Sequence, residues 1–420
     1  MKKIIASAGW VALGTAALHA AYVPGLTSME TSKPWSVSAS LRGFYDDNYA
    51  AVPASTPGKK SSFGMEIRPT LGLNVPLDQT LIELDYTYSL KDYFDRANDP
   101  LVHYHEFQAK LSHKFSDRYK LKLEDSFVYS QEPSLIDTVT QTTYRTGVNA
   151  YRNRGALTFT AEITERLGVE AGFDSEWYHY LDSRPGSVSS QLNRWENYFH
   201  VDPRWRFSEN VTGLIGYKYG IVSYTSNDPL SADPGALLAS IRDTTAHYFY
   251  GGVEYQFSTQ FSVMAKGGGQ LSQYPNTDQS FLNPYANISA TYTYLPGSYV
   301  QAGFRHDRAA TDLVGDATNP DLVTLDQAAS TFYAFWSHKI TQKLTGNLLG
   351  QIQNSAFQGG TFDGESENSY FVNLSLDFAI SKHLSAEFGY LYEMLVADSN
   401  ATFDRGYTRN QVYMGIRASY

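Results

Sequence analysis

Apolar side chains recur at every second position over long stretches of the chain. The clearest example is the C-terminal end, where alternate residues from Val412 to Tyr420 are apolar. Successive side chains of a β-strand point to opposite faces, so this period predicts strands with one apolar and one polar face. Most of the predicted strands run for about 10–14 residues, the length that a tilted strand needs to cross a bilayer. Strands of soluble sandwiches are usually shorter, about 5–6 residues.

A short turn motif recurs between the predicted strands: an apolar residue, Ser or Thr, two polar residues and a second apolar residue. It occupies residues 115–119, 163–167, 207–211, 257–261, 340–344 and 380–384. The other connections are longer and polar: 46–62, 92–103, 130–144, 181–194, 225–243, 273–283, 309–329, 356–368 and 397–406. Short turns at one rim and long loops at the other are typical of the periplasmic and extracellular ends of an outer-membrane barrel.

The alternating segments from 35–45 to 407–420 number eighteen and include 285–295 and 330–340. An even count places both ends of the barrel at the periplasmic rim. We therefore predict an all-β fold, a transmembrane antiparallel up-and-down β-barrel of about eighteen strands. This fold predicts an integral protein of the bacterial outer membrane.

The N-terminal end predicts export. Residues 1–20 begin with two lysines, continue with a short apolar core and end at small residues, which is the pattern of a signal peptide. Residues 21–34 are then a short periplasmic N-terminal segment, and residues 35–420 form the predicted barrel.

Composition agrees with a barrel and excludes several other classes. Aromatic residues make up 15% of the chain, yet the mean hydropathy is only −0.36, because half of each barrel strand faces lipid and half faces water. Cysteine is absent, so a disulfide framework, a thiolate metal site and a lipoprotein anchor are excluded. The net charge is −10, or −12 without the two lysines of the predicted signal peptide, which argues against nucleic acid as a partner.

The polar face of the strands predicts the wall of a water-filled channel, because a barrel of this size is too wide for side chains alone to fill. The predicted pore-lining residues are Arg42, Glu66, Arg68, Glu83, Asp85, Glu106, Lys110, Lys120, Lys122, Glu124, Glu170, Asp174, Glu176, Arg204, Arg206, Lys218, Lys266 and Arg305. Opposed rows of both signs would set a transverse field across the bore. The alternative is that neighbouring Arg and Glu side chains pair and brace the wall.

The external loops suggest further features. Segments 225–243 and 309–329 are the longest, so either is a candidate to fold inward and narrow the pore. Asp233 followed by Pro234 predicts a short helix over 235–241. Acidic residues in these loops are candidates to bind divalent cations that bridge lipopolysaccharide, although solvation is the simpler role.

No catalytic, metal or cofactor site is predicted. His103 and His105 share one face of a strand and would make half of a metal site, but no third ligand lies in register. Serines and histidines are scattered, and no motif places a nucleophile beside a base. The chain is therefore not expected to be an enzyme.

The C-terminal strand resembles the terminal assembly signal of outer-membrane proteins. Tyr413, Gly415, Ala418 and Tyr420 fit that signal, with Ala418 its weakest position. The resemblance implies the barrel assembly machinery as a partner, beside outer-membrane lipid and lipopolysaccharide.

Two segments, 35–49 and 63–71, are similar to the first hairpin of the porin 2-like family of β-barrel proteins. That resemblance implies an outer-membrane barrel, sometimes linked with exopolysaccharide secretion, and carries no established catalytic residues. The leading hypothesis is a channel for passive diffusion of small hydrophilic solutes. The alternatives are export or anchoring of a polysaccharide, an outer-membrane enzyme, and a sleeve around a redox partner. An exporter of an acidic polymer would predict a strongly basic lumen, whereas this wall is balanced.

Overall fold

The computed structural model describes residues 34–58, 60–132, 148–397 and 405–420. Within them, eighteen strands form one antiparallel sheet that closes on itself, so the predicted fold class is confirmed. The strands are β1 (Trp35–Asp46), β2 (Ser62–Pro76), β3 (Thr80–Tyr93), β4 (Leu101–Lys114), β5 (Tyr119–Ser130), β6 (Ala150–Glu162), β7 (Leu167–Tyr180), β8 (Arg194–Arg206), β9 (Val211–Tyr224), β10 (Thr244–Gln256), β11 (Phe261–Tyr274), β12 (Gln279–Leu295), β13 (Ser298–Ala309), β14 (Asp326–Lys339), β15 (Leu344–Gln358), β16 (Ser366–Ala379), β17 (Leu384–Ala397) and β18 (Tyr407–Ser419). The predicted signal peptide and residues 21–33 lie outside the described residues.

The barrel closes where the first strand meets the last. The β1–β18 ladder runs from Ser38 opposite Ser419 to Asp46 opposite Gln411, and the Tyr420 N–H donates to the Val37 carbonyl over 2.9 Å. Every other strand pairs with its two neighbours in the chain. Closure leaves no unpaired sheet edge, which lipid could not solvate.

The outer face of the barrel is apolar. Ile215 and Leu282 are each 75% exposed and Met414 is 67% exposed, all at alternate positions of their strands. A closed barrel with an outward apolar band satisfies its backbone internally and presents hydrocarbon to lipid. The protein is therefore an integral outer-membrane β-barrel.

A belt of aromatic rings surrounds part of the barrel near the rim with the long loops. Ring centroids are 4.8 Å apart for Tyr88 and His105, 5.9 Å for His105 and Tyr129, and 5.0 Å for Tyr129 and Tyr151. Rings with an apolar body and a polar edge favour the lipid–water interface. His103 belongs to this belt, since its Nδ1 lies 2.9 Å from the Tyr88 hydroxyl, and no cluster of three metal-binding side chains occurs in the described parts of the chain.

The recurrent Ser or Thr explains the tight turns. The Thr164 hydroxyl accepts hydrogen bonds from the N–H groups of Arg166 (3.2 Å) and Leu167 (2.9 Å). Ser258 accepts in the same way from Gln260 and Phe261, at 3.1 Å each. A short side-chain oxygen thus satisfies backbone donors that the hairpin leaves unpaired.

Two strands begin at least four residues before the predicted start. β12 begins at Gln279 rather than 285, so the predicted connection 273–283 is reduced to a turn over 275–278. β14 begins at Asp326 rather than 330. The polar sequence of these segments predicts loops, but the neighbouring strand continues alongside them, and Gln279 pairs with Tyr274 of β11. Tertiary pairing overrides the local pattern here.

The predicted helix over 235–241 is wrong at its start and is reduced to a 3₁₀ turn over Ala239–Arg242. The Ala236 N–H donates to the Asp233 carbonyl over 3.1 Å, and Gly235 has a φ of +82°. Proline followed by a residue with positive φ is the sequence of a type II turn, and a glycine in that conformation does not begin a helix.

Helical structure is confined to the loops of the described residues. An unpredicted α-helix, α1 (Val188–Leu192), lies between β7 and β8 and is capped by the Ser187 hydroxyl. Single 3₁₀ turns occur at Ala239–Arg242, Pro320–Leu322 and Gly360–Phe362. No helix in these segments is long and apolar enough to cross a membrane.

Candidate functional site

The eighteen residues predicted to line a pore all lie in strands, on the face opposite the exposed apolar side chains. Along β2, for example, Glu66 and Arg68 alternate with Met65 and Ile67, which are 45% and 52% exposed to the outside. The structure thus brings the predicted charged side chains together on the inner surface of the barrel.

Three buried charges of this surface form a cluster. The Arg42 guanidinium lies 3.3 Å from Glu66 and 2.5 Å from Glu387, and all three side chains are 3–7% exposed. Ser40 donates to Glu387 over 2.8 Å and Ser89 donates to Glu66 over 2.6 Å. Two carboxylates and two hydroxyls therefore compensate the cost of removing these charges from water.

A second cluster lies on β7, β8 and β10. Arg204 forms ion pairs with Glu170 (2.8 Å) and with Glu254. Beside it, the Lys266 ammonium lies 2.8 Å from Asp202, to which the Tyr250 hydroxyl also donates. These contacts join β8 to β10 and β11 and brace the wall between them.

Further pairs have the same character. Arg154, which was not predicted, lies 3.6 Å from Asp174 and 3.3 Å from Glu176. Lys122 pairs with Glu124 at 2.9 Å, Arg206 with Glu162 at 3.7 Å, and Arg305 with Asp307 at 2.6 Å. These side chains pair with partners on the same strand or on a nearby one. This is the bracing arrangement that the sequence offered as the alternative to opposed rows of positive and negative charges.

Among the described residues, Glu106 and Lys218 contact tyrosines and one amide and form no ion pair. The Tyr104 hydroxyl and the Gln108 amide donate to Glu106 over 2.9 and 2.7 Å. The Lys218 ammonium lies 3.7 Å from the ring centroid of Tyr248, with Tyr198 and Tyr285 at 5.0 and 5.2 Å. The faces of these rings attract a cation.

A contiguous group of inner charges has no such partners. The side chains of Arg68, Glu83, Asp85, Lys110 and Lys120 make no hydrogen bond and no ion pair with any residue that the structure describes, although Glu83 lies directly opposite Lys110 in the β3–β4 ladder. They lie on β2 to β5, which are consecutive strands of the barrel. Charged groups without protein partners require water, since an uncompensated charge in a dry interior is costly.

The outer mouth of the barrel is crossed by the segment 310–325, which joins β13 to β14. Its first residue, Ala310, packs against Tyr178 and Tyr180 of β7 and against Leu192 of α1. β7 is six strands away from β13 around the barrel, so the segment extends over the opening. Inward folding of the long loops, predicted for one of two segments, is confirmed for this one.

The second long loop, 225–243, joins the first. The Leu237 N–H donates to the Ala317 carbonyl over 2.9 Å, and the Arg242 guanidinium donates to the Thr311 carbonyl over 2.9 Å. Arg242 is 0% exposed; burial lowers the pKa of its guanidinium, while Tyr224, whose ring lies 4.7 Å below it, opposes that shift. Both predicted candidates therefore contribute to the cover.

On the other side, the cover is attached to the start of β18. The Arg405 guanidinium donates to both carboxylate oxygens of Asp312 at 2.9 Å and lies 3.5 Å from Glu367. Burial alone would lower the pKa of Arg405, but the two carboxylates raise it above its usual value, so the pair stays charged. One guanidinium nitrogen, Nη2, thus bridges both carboxylate oxygens and fixes the position of the segment.

Several acidic residues predicted in external loops belong to this rim. Asp46 ends β1, is 0% exposed and lies 2.6 Å from Arg409. Asp326 begins β14 and pairs with Arg308. Sequence alternation assigns neither to a buried pair, because their arginines lie on other strands.

The predicted assembly residues divide between the two faces. Tyr413 faces inward with the Arg42 guanidinium 4.5 Å above its ring, while Ala418 and Tyr420 face outward. Gly415 lies opposite Arg42 in the β1–β18 ladder. A Cβ at Gly415 would lie 2.3 Å from the Leu41 carbonyl oxygen. Pairing of β1 with β18 therefore favours glycine at this position, independently of any assembly signal.

No protein-family model matches the sequence, and no curated protein sequence matches it significantly. Among solved structures, the outer membrane protein OpdK from Pseudomonas aeruginosa is 11% identical, with 92% of this chain and 99% of that chain covered and a TM-score of 0.44. OpdQ from the same organism is 12% identical, with 92% and 97% covered and a TM-score of 0.39. The ferric enterobactin receptor PfeA, also from Pseudomonas aeruginosa, is 10% identical, with 91% of this chain and 80% of that chain covered and a TM-score of 0.45. At these values, the function of this barrel rests on its own residues.

Proposed function

We propose that this protein is a passive diffusion channel of the outer membrane for small hydrophilic solutes. The observation that carries the proposal is the group of unpartnered inner charges on β2 to β5: Arg68, Glu83, Asp85, Lys110 and Lys120. Five charged side chains on neighbouring strands, without a hydrogen bond or ion pair to any described residue, imply a water-filled space beside them. Their mixed signs favour polar solutes without strong selection for one ion sign.

The segment 310–325 is the proposed constriction of this path. It is attached by Arg242 on one side and by Arg405 on the other, so a solute entering from outside must pass around it. The ion pairs of the wall hold neighbouring strands together. The segment 310–325 sets the width of the opening.

Recording of the purified, folded protein in planar lipid bilayers tests the proposal. We expect stepwise conductance from the native chain and larger steps from Arg405→Ala, because that variant releases Asp312 and loosens the cover. Arg166→Ala, in an exposed periplasmic turn, is the matched control and should conduct like the native chain. Absence of steps from both the native chain and Arg405→Ala would overturn the proposal.

Membership of the porin 2-like family is a further part of the proposal and rests on the segments 35–49 and 63–71. Polysaccharide export finds no specific support in the balanced charges of the wall. We also propose that the chain has no catalytic activity, which lipase and protease assays of the folded barrel would test.

The terminal strand is the proposed contact with the assembly machinery. The apolar outer face is the proposed contact with lipid and lipopolysaccharide.

A further inference from the structure

A cavity within the barrel is lined by two chemically different walls. Its apolar wall includes Phe335, Leu349 and Leu391, and its polar wall includes Arg42, Arg68 and Asn373. The lining residues come from the contiguous strands β14 to β18 and β1 to β3. The cavity therefore lies in the bore and is not enclosed within a loop.

The apolar wall is an exception on an otherwise polar inner face. Phe335 lies directly opposite Leu349 in the β14–β15 ladder, and its ring centroid is 5.4 Å from that of Tyr299 on β13. Phe371 and Leu391 extend the cluster to β16 and β17. Five neighbouring strands thus place apolar side chains on the inner face. Phe335, Leu349 and Phe371 pack against one another and are only 3–9% exposed, and Phe335, Leu349 and Leu391 also line the cavity.

The carboxylates of the cavity already have cationic partners. Glu66 and Glu387 both bind Arg42, and Asp377 lies 3.9 Å from Arg417. Among its cations, Lys91 pairs at 2.8 Å with Glu132. Each of these carboxylates therefore has a cation beside it.

Arg68 is the cation of this cavity that remains available. Its side chain makes no hydrogen bond or ion pair within the described segments, although it acts electrostatically on Glu66, two residues away on the same face of β2. In the β2–β3 ladder, the pairing skips from Ile67 to Thr70, across Pro69, which has no N–H to donate. On its other side, Arg68 lies opposite Ser40, whose hydroxyl is already donated to Glu387.

We propose that this cavity binds small organic anions that carry an apolar body. The anion's carboxylate binds the Arg68 guanidinium, which is planar and can donate two parallel hydrogen bonds to a carboxylate. The apolar body lies against Phe335, Leu349 and Leu391, and the Asn373 amide offers a further polar contact. This inference rests on the proposed function, since the solute reaches the cavity through the lumen.

Binding of benzoate to the detergent-solubilised, folded barrel, followed by calorimetry, tests the site. We expect benzoate to bind more tightly than either acetate, which lacks the ring, or benzamide, which lacks the charge. Arg68→Gln should weaken benzoate binding at least about tenfold, the equivalent of about 1.4 kcal/mol. Arg68→Lys keeps the charge but loses the planar guanidinium, and it should recover only part of the affinity.

Phe335→Ala should weaken benzoate binding and leave acetate binding unchanged, which separates the apolar contact from the charge. Lys382→Gln, in an exposed periplasmic turn, is the control for loss of one positive charge. Circular dichroism of each variant establishes that the barrel is folded. The inference is overturned if benzoate binds no better than acetate, or if Arg68→Gln and Lys382→Gln behave alike.

Conductance is measured on the same preparations, so that failure of the channel proposal can be distinguished from failure of the binding site. A barrel that conducts but does not bind benzoate would contradict this site alone. A barrel that binds benzoate but never conducts would contradict the channel and leave the site intact.

Discussion

Asp125 and Asn153 meet on the lipid-facing side of the barrel, where the Asn153 amide lies 3.2 and 3.1 Å from the two carboxylate oxygens. Asp125 shares its face of β5 with Leu123, which is 43% exposed, and lies opposite Gly155 of β6. Both residues therefore sit in a band that is otherwise apolar. A carboxylate near the middle of a bilayer is unfavourable, although less so than a basic side chain.

Replacing both residues, Asp125→Leu with Asn153→Leu, should raise the free energy of unfolding by about 1–2 kcal/mol, because neither polar group then faces lipid. Asp125→Leu alone should gain less, since it leaves the Asn153 amide without its acceptor. Reversible urea unfolding in lipid vesicles, followed by tryptophan fluorescence, measures the difference. A double variant less stable than the native chain would show that this face is covered by another protein rather than by lipid.

Arg42→Met should destabilise the barrel by about 3–5 kcal/mol, because it leaves Glu66 and Glu387 as buried charges without their shared cation. Arg206→Met is the matched control. Its pair with Glu162 is longer, at 3.7 Å, and both side chains are 38% exposed, so its loss should cost at most about 1 kcal/mol. The same unfolding measurement compares them, and equal losses would contradict the central role of the Arg42 cluster.

Gly415→Ala should reduce the yield of folded barrel, because the added Cβ meets the Leu41 carbonyl at the β1–β18 seam. Gly43→Ala is a matched control on the facing strand, since nothing lies within 4 Å of a Cβ there. Folded protein is counted by its altered migration in unheated gels after refolding into vesicles. Equal yields from the two variants would leave Gly415 without a structural role in closure.

The pH dependence of one loop anchor follows from Glu132, which lies just beyond β5. Burial alone would raise its pKa, but Lys91, Arg409 and the hydrogen bonds from Lys91 and Tyr93 lower it from 4.5 to about 2. A lowered pKa means that the carboxylate stabilises the fold fully above pH 4.5 and loses this contribution as the pH falls toward 2. Stability measured between pH 7 and pH 2 should therefore fall more steeply for the native chain than for Glu132→Gln. Parallel curves would contradict this prediction.

Alternation of apolar and polar residues is a local property, and it was enough to predict the strands, the tight turns and the two faces of the sheet. The hydroxyl of each turn acts within three residues, as at Thr164 and Leu167, so sequence alone can reveal it. For the same reason, the inward or outward direction of each charged side chain follows from its position in the strand.

The ion-pair partners of those side chains depend on the closure of the barrel and on the register between strands. The alternation of apolar and polar residues within one strand carries no information about either. Arg42 and Glu387 are 345 residues apart and meet only because β1 pairs with β18. The cover over the mouth depends likewise on contacts between distant loops, such as Asp312 with Arg405. Local alternation is therefore enough to predict a barrel with a charged inner face, whereas closure and register decide which of those charges, like Arg42, form ion pairs and which, like Arg68, form none among the described residues.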